Sequence, residues 1–316
     1  MLVLNKTRSK RFLIIGLLLA LILTVSGCNS KEEGLVARVD GEGITVEEFE
    51  SDFQVFKRIY EQQLGEDAMT QVGEDGRTLG ESLKENIIEK LIMERLVAKE
   101  AKDMDIEVTS EEIQKQMEEY ITLMEGQEKF DEFLKSNQLS KEFFEENLRK
   151  ELLFNKHREA FIDSTSIDEK EAKKYFDDNK ENLVVVKASH ILVKTEDEGK
   201  KVLEKLKAGE DFGKLAEEVS IDKASALEGG SLNYFGKGDM IAEFEEAAFA
   251  LNPGETSDLV HTEVGYHIIH VEDKKDTYEA LKDDIIGLLK DNKYLEKIQK
   301  LRDNAKIKIY LDIKTK

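Results

Sequence analysis

The stretch NLVVVKASHILVK, Asn182 to Lys194, breaks the pattern of everything before it. Upstream, apolar residues recur at helical spacing: Val46, Phe49, Phe53, Phe56 and Tyr60, then Leu83, Ile87 and Leu91, then Ile113, Met117, Tyr120, Ile121 and Met124. Here β-branched and apolar residues run together over a length suited to a buried strand. From this point to about Asp273 short strands, helices and most of the glycine-rich turns alternate, which predicts a compact α+β block at 183–273. Beyond it, Tyr278 to Asn304 returns to helix, and AKIKIYLDI, 305–313, alternates as a strand.

The upstream segment begins with LVARVDGEGITVEEFE, Leu35 to Glu50. Leu35 to Asp40 reads as a strand, Gly41 and Gly43 as a turn, and Thr45 with Glu48 as a capping box opening a helix. Thr109 with Glu112 opens another, and Ser166 with Glu169 one that ends near Asn179. Helices are expected over Ser82–Lys102 and over KEFFEENLRKELLFNKHREAFI, 141–162. The aromatic stripe Phe49, Phe53, Phe56 has the spacing of a core-facing helix rather than of a binding surface. Strands at both ends of the chain, 35–40 and 305–313, would leave backbone groups without partners unless they pair with each other. The fold class is therefore α+β. A mostly helical domain, 35–182 completed by 274–316, is interrupted by a smaller domain, 183–273, with a small antiparallel sheet and surrounding helices.

The chain carries a formal charge of −21 with a pI near 4.8, which repels nucleic-acid phosphates and anionic lipid surfaces, so no nucleic-acid partner is expected. Its N-terminus has the form of a secretory signal at 1–27: Lys6, Arg8, Lys10 and Arg11, an uncharged apolar run from Phe12 to Val25, then small residues. That run is shorter than the roughly 20 residues a membrane-spanning helix needs. Cys28, the only cysteine, follows VSG in a pattern that resembles the lipobox of bacterial lipoproteins, and 28–34 reads as a short polar tether. The lipobox resemblance implies a diacylglycerol thioether on Cys28 and cleavage before it. Loss of four basic residues would leave the mature chain at −25, exported and held by lipid on the extracytoplasmic face of the cell membrane. A single cysteine allows no disulfide within the chain.

Two of the five histidines, His267 and His270, fall within TEVGYHIIHVED, Thr262 to Asp273. On a strand, residues three apart face opposite sides, so this pair cannot chelate one ion, and no metal-ligand motif occurs elsewhere in the chain. His267 should point with Ile269 and Val271, and His270 with Ile268 and Tyr266.

Taken together, ASHILVK with His190, VSID with Asp222, GGSLNYFGKGDMIAEFEEAAFALNPGE with Leu232, Phe235, Met240 and Phe244, and VGYHIIHVED with His267 resemble the parvulin family of peptidyl-prolyl cis/trans isomerases. The resemblance covers nearly the whole block, in order and spacing. With the lipobox ahead and a SurA-like opening VARVDGEGITVEEF, the whole chain is similar to PrsA-type extracytoplasmic foldases. It implies an isomerase without cofactor or metal, acting on unfolded or partly folded exported proteins, with a homodimer as a possible assembly. Leu232, Met240 and Phe244, with Phe235, match the family's proline-binding positions. Asp222 would stand near the substrate carbonyl, and His190 and His267 would bond to each other and to Thr262. Ser231 and Asn233 depart from the Asp and Gly common in the family, so the loop before Phe235 is expected to differ. Acidic residues in KTEDEGKK, 194–201, argue against selection of phosphorylated substrates.

The alternative is a non-catalytic holdase carrying an inactive parvulin scaffold. A two-lobed solute-binding lipoprotein would need repeated βα units, and the chain has none.

Overall fold

The computed structural model describes residues 33–313, so the signal segment 1–27 and Cys28 lie outside the described residues. In chain order the elements are β1 (Leu35–Val39), β2 (Glu42–Thr45), α1 (Val46–Leu64), α2 (Leu79–Asp103), α3 (Ser110–Leu123), α4 (Gln127–Ser136), α5 (Lys141–Ser164), α6 (Glu169–Leu183) and β3 (Val185–Val193). They continue as α7 (Glu196–Lys207), α8 (Phe212–Val219), α9 (Lys223–Ala226), β4 (Ser231–Gly236), α10 (Ala242–Ala250), β5 (Val260–Thr262), β6 (Gly265–Lys275), α11 (Tyr278–Asn304) and β7 (Ile307–Ile309). The class is α+β. The described residues divide into two compact units, one from Ile167 to Lys290 and one from 33–166 with Asp291 onward, so α11 is shared between them.

In the second unit a three-stranded antiparallel sheet runs in the order β2-β1-β7. The expected pairing of the chain ends is present: Ala37, Arg38 and Val39 lie opposite Ile309, Lys308 and Ile307, and the Tyr310 amide donates to the Val36 carbonyl at 2.8 Å. Gly43 does not lie in a turn, because the chain reverses at Asp40–Gly41 and Glu42–Thr45 forms a strand of its own. A Cβ on Gly43 would stand 2.8 Å from Leu35 Cδ2, so the missing side chain makes room for that leucine. Thr45 and Glu48 form the expected capping box, and Phe49 is buried with Phe53, Phe56 and Tyr60 packed against the same core as Ile88 and Ile92 of α2. The helix read from Ser82 opens earlier, at a capping box of Thr78 and Glu81. Tyr294 and Ile298 of α11 join Val97 of α2 in a further cluster with Phe154 and Phe161 of α5.

The other unit is wider than the block at 183–273 read from the change of period. Ala172, Phe176 and Leu183 of α6 share one apolar cluster with Leu281, Ile285 and Leu289 of α11, which ties both helices to it. The helix α6 is capped by Asp168, whose carboxylate accepts from the Lys170 amide, instead of Ser166, and it runs on to Leu183. At the centre lies a four-stranded antiparallel sheet in the order β4-β3-β6-β5. One face packs Val186, Ala188, Ile269 and Val271 against Phe235, Phe244 and Ala248. The opposite face packs Ile191, Val193 and Ile268 against Val202, Leu215 and Ala216 of α7 and α8. Among the described residues no helix is long and apolar enough to cross a membrane.

Candidate active site

β3 and β6 are neighbours with His190 opposite Ile269 and Leu192 opposite His267, so the two histidines are diagonal partners on one face. Their rings stack with centroids 5.4 Å apart, and Nδ1 of His190 lies 3.2 Å from Nδ1 of His267. Thr262, at the end of β5, lies opposite Gly265, and its Oγ1 is 2.9 Å from His267 Nε2. Gly265 is required there: its φ is +140°, and a Cβ would stand 2.5 Å from the Val193 carbonyl.

On the other side of His190, Nε2 lies 2.9 Å from Asp222 Oδ2 and 3.0 Å from Ser225 Oγ. Asp222 is the N-cap of α9 and its Oδ1 accepts from the Ala224 amide at 3.2 Å. Ser225 Oγ donates to Asp222 Oδ2 at 2.7 Å. His190, His267, Thr262 and Ser225 are buried, and Asp222 is partly exposed.

Counting hydrogens fixes the direction of this chain. An ionised carboxylate only accepts, so His190 carries its proton on Nε2 and donates to Asp222. His190 Nδ1 is then bare and accepts from His267 Nδ1–H, which leaves His267 Nε2 to accept from the Thr262 hydroxyl. Every donor points toward Asp222. The electrostatics agree. Burial pushes the His267 ring down to about 4, with the neighbouring His190 ring adding to the effect. Burial lowers His190 as well, opposed by the Asp222 carboxylate. Burial alone would raise Asp222, but hydrogen bonds from Ser225 and His190 outweigh it and hold the carboxyl below its ordinary value. At neutral pH the cluster is two neutral imidazoles beside one anion.

Phe244 links this chain to an apolar surface. Its ring meets His190 at 5.7 Å and His267 at 5.2 Å, edge-on to both. Leu232 and Met240 are half-buried over the same cluster. Phe235 packs against Phe244 with ring centroids 6.0 Å apart, and both rings are buried in the same cluster. Asn233, at the position of the expected departure, takes a left-handed φ of +57°, a conformation asparagine tolerates better than most residues. His270 faces the other way, with Nδ1 2.9 Å from Thr256 Oγ1 and its ring against Phe212. Exposed His261 packs its ring at a tilt against Tyr266. Ser225 is the one member of the cluster that the sequence does not mark, because no local pattern ties it to a histidine 35 residues earlier.

A family model for a SurA-like N-terminal domain matches residues 1–158, and one for a PPIC-type PPIase domain matches 173–275. The foldase protein PrsA of Caldanaerobacter subterraneus subsp. tengcongensis is 35% identical over 93% of this chain and 98% of that protein. The chain belongs to the PrsA foldase family. The foldase protein PrsA of Clostridium botulinum strain Hall is 34% identical, over 96% of this chain and 98% of that protein. The crystal structure of PrsA from Bacillus subtilis is 27% identical, covers 89% of this chain and 96% of that chain, and superposes with a TM-score of 0.34. As a PrsA-family member with a PPIC-type domain that spans His190, Asp222, Thr262 and His267, the chain is a parvulin-type peptidyl-prolyl isomerase.

Proposed function

We propose that the chain is a lipid-anchored foldase outside the cytoplasm that isomerises X–Pro bonds in unfolded or partly folded exported proteins. Rotation about an X–Pro bond breaks amide resonance, against a barrier of about 18–20 kcal/mol, and takes tens to hundreds of seconds uncatalysed. No nucleophile is required. A catalyst must hold the proline ring and favour the twisted amide, whose carbonyl oxygen carries less negative charge than the planar form. Leu232, Met240 and Phe244 supply an apolar seat for the ring. The Asp222 carboxylate, beside the carbonyl, disfavours the charge-separated planar amide. The neutral histidine pair orients Asp222 without cancelling its charge.

The observation that carries this reading is the Phe244 ring, edge-on to both histidines, which joins the apolar seat to the chain ending on Asp222. The substrate is not phosphorylated: the first turn of α7 carries Glu196, Asp197 and Glu198, which repel a phosphate. Anchoring is assigned to a diacylglycerol thioether on Cys28, since a chain of this acidity gains nothing from anionic lipid. The test is exchange NMR on a panel of unphosphorylated X–Pro peptides with the mature chain. Acceleration of cis/trans exchange is the expected result. No acceleration on any peptide, with aggregation of a client still suppressed, would replace this reading with the holdase.

A further inference from the structure

We propose that Ser225 is a positioning residue for isomerisation: its hydroxyl fills the second acceptor site of Asp222 Oδ2 and leaves Oδ1 as the oxygen turned to substrate. The proposal rests on the catalytic reading of Asp222 given above and adds to it which oxygen acts.

Asp222 Oδ2 receives His190 Nε2–H at 2.9 Å and the Ser225 hydroxyl at 2.7 Å. A carboxylate oxygen offers about two lone-pair sites, so Oδ2 is saturated. Oδ1 receives the Ala224 amide at 3.2 Å, a longer contact than either one on Oδ2, and is the less engaged oxygen, with the Ser225 backbone amide also favouring the ionised carboxyl. The Asp222 side chain remains 32% exposed, whereas that of His190 is 7% exposed, so the carboxylate is the end of the hydrogen-bonded chain that a peptide can reach.

A plainer role for Ser225 would be helix capping, and two observations go beyond it. Capping of α9 is already provided by Oδ1, and a residue at the third helical position normally reaches back to the cap's backbone amide rather than to its carboxylate. The backbone of Ser225 is also held by the sheet: the Gly230 amide donates to the Ser225 carbonyl at 2.8 Å, and the His190 amide donates to the Gly230 carbonyl at 2.9 Å. Gly230 permits this with a φ of +88°, since a Cβ there would stand 2.3 Å from the His190 carbonyl. Ser225, His190 and Asp222 are thus fixed to one another through β3, and the hydroxyl completes a triangle instead of a turn.

The test uses the mature chain with Ser225→Ala and Ser225→Thr. Exchange NMR on an X–Pro peptide gives kcat and KM, and the Asp222 13Cγ signal gives the carboxyl titration. Loss of a hydrogen bond to a charged group should lower kcat about tenfold in Ser225→Ala, with KM changed less than about twofold. The Asp222 titration should move to higher pH in Ser225→Ala and return toward wild type in Ser225→Thr. An unmoved titration in Ser225→Ala, or a loss confined to KM, would overturn the positioning role. An inactive wild-type chain would instead remove the catalytic reading beneath it, and the titration would still report on the Ser225 contact by itself.

Discussion

His190 and His267 do not stand opposite each other in the sheet, yet Nδ1 of one lies 3.2 Å from Nδ1 of the other. Between β3 and β6 the partner of His267 is Leu192, and that of His190 is Ile269. The diagonal offset lets the rings stack and meet through like-named nitrogens. Such a contact holds only if one nitrogen is bare, so a proton added to His190 Nδ1 breaks it, and one added to His267 Nε2 ends the bond that nitrogen accepts from the Thr262 hydroxyl.

Stability should therefore depend on pH through His267. Its folded value, about 4, lies below the ordinary 6.5, so between these values only the unfolded chain takes up the proton. Stability is fully present above about pH 6.5 and falls as pH drops toward 4, by about 3 kcal/mol at most. Denaturant titrations of wild type and His267→Asn at pH 7, 5.5 and 4.5 check this. Equal slopes in the two proteins would assign the pH dependence to other groups.

Asp222→Ala and Met240→Ala should each lower kcat/KM at least about tenfold while folding is largely retained. Met240 is half-buried, and Asp222 caps a helix of only four residues, so loss of the cap costs about 1 kcal/mol. Phe244→Ala is the uninformative choice, because emptying a buried aromatic site costs about 3–5 kcal/mol. Circular dichroism melts alongside the peptide assay separate the effects, and a melting point that collapses with activity would move Met240 from the site to the core.

Asn233→Gly should be neutral or stabilising by up to about 1 kcal/mol, and Asn233→Val destabilising by more than that. The left-handed φ of +57° at this exposed position in β4 is costly for a β-branched residue and free for glycine. Thermal melts of the two variants give the answer, and a stabilised Val variant would contradict the backbone argument.

Cys28→Ala should abolish incorporation of labelled lipid and leave the signal unprocessed by the lipoprotein route. No polybasic segment offers a second means of attachment in the mature chain, so release from the membrane fraction should follow. Persistent lipid labelling of the variant would exclude this cysteine as the anchor.

Elements with one strong periodic signal were legible in the sequence. The helix from Tyr278 to Asn304 was bounded to the residue, and the capping boxes at Thr45 and Thr109 stand where they were expected. Signals diluted by glycine were not. Gly43 read as a turn because strand glycine has no side chain to pack, and its reason is Leu35, a tertiary neighbour. The helix at Gln127 went unread because it opens after Gly126 with no side-chain cap. His190, Asp222, Thr262 and His267 were found through resemblance, and the structure brings them into one chain of hydrogen bonds. Ser225 needed coordinates, since nothing local says that a serine in a short helix touches a histidine 35 residues earlier.

The last prediction concerns the chain ends. β7 is the third strand of the sheet on β1, Tyr294 and Ile298 are buried with Val97, and Arg302 holds Glu89 through two hydrogen bonds of 2.9 Å each. Removing 291–316 would strip β1 of a strand partner, empty two large core sites and leave Glu89 without its arginine. Two truncated core positions alone cost several kcal/mol, a large share of the about 5–15 kcal/mol that holds a domain. The unit made by 33–166 should then lose its cooperative melt. The reciprocal change replaces 167–290 with a Gly/Ser linker from Ser166 to Asp291. It should keep the melt, because Arg158 near the end of α5 already pairs with Asp291. That protein should still slow aggregation of an unfolded client while accelerating no X–Pro exchange. Circular dichroism melts of the two proteins decide between a shared core and an independent N-terminal domain: a cooperative transition surviving loss of 291–316 would show that the C-terminal segment is an accessory and not a part of the core.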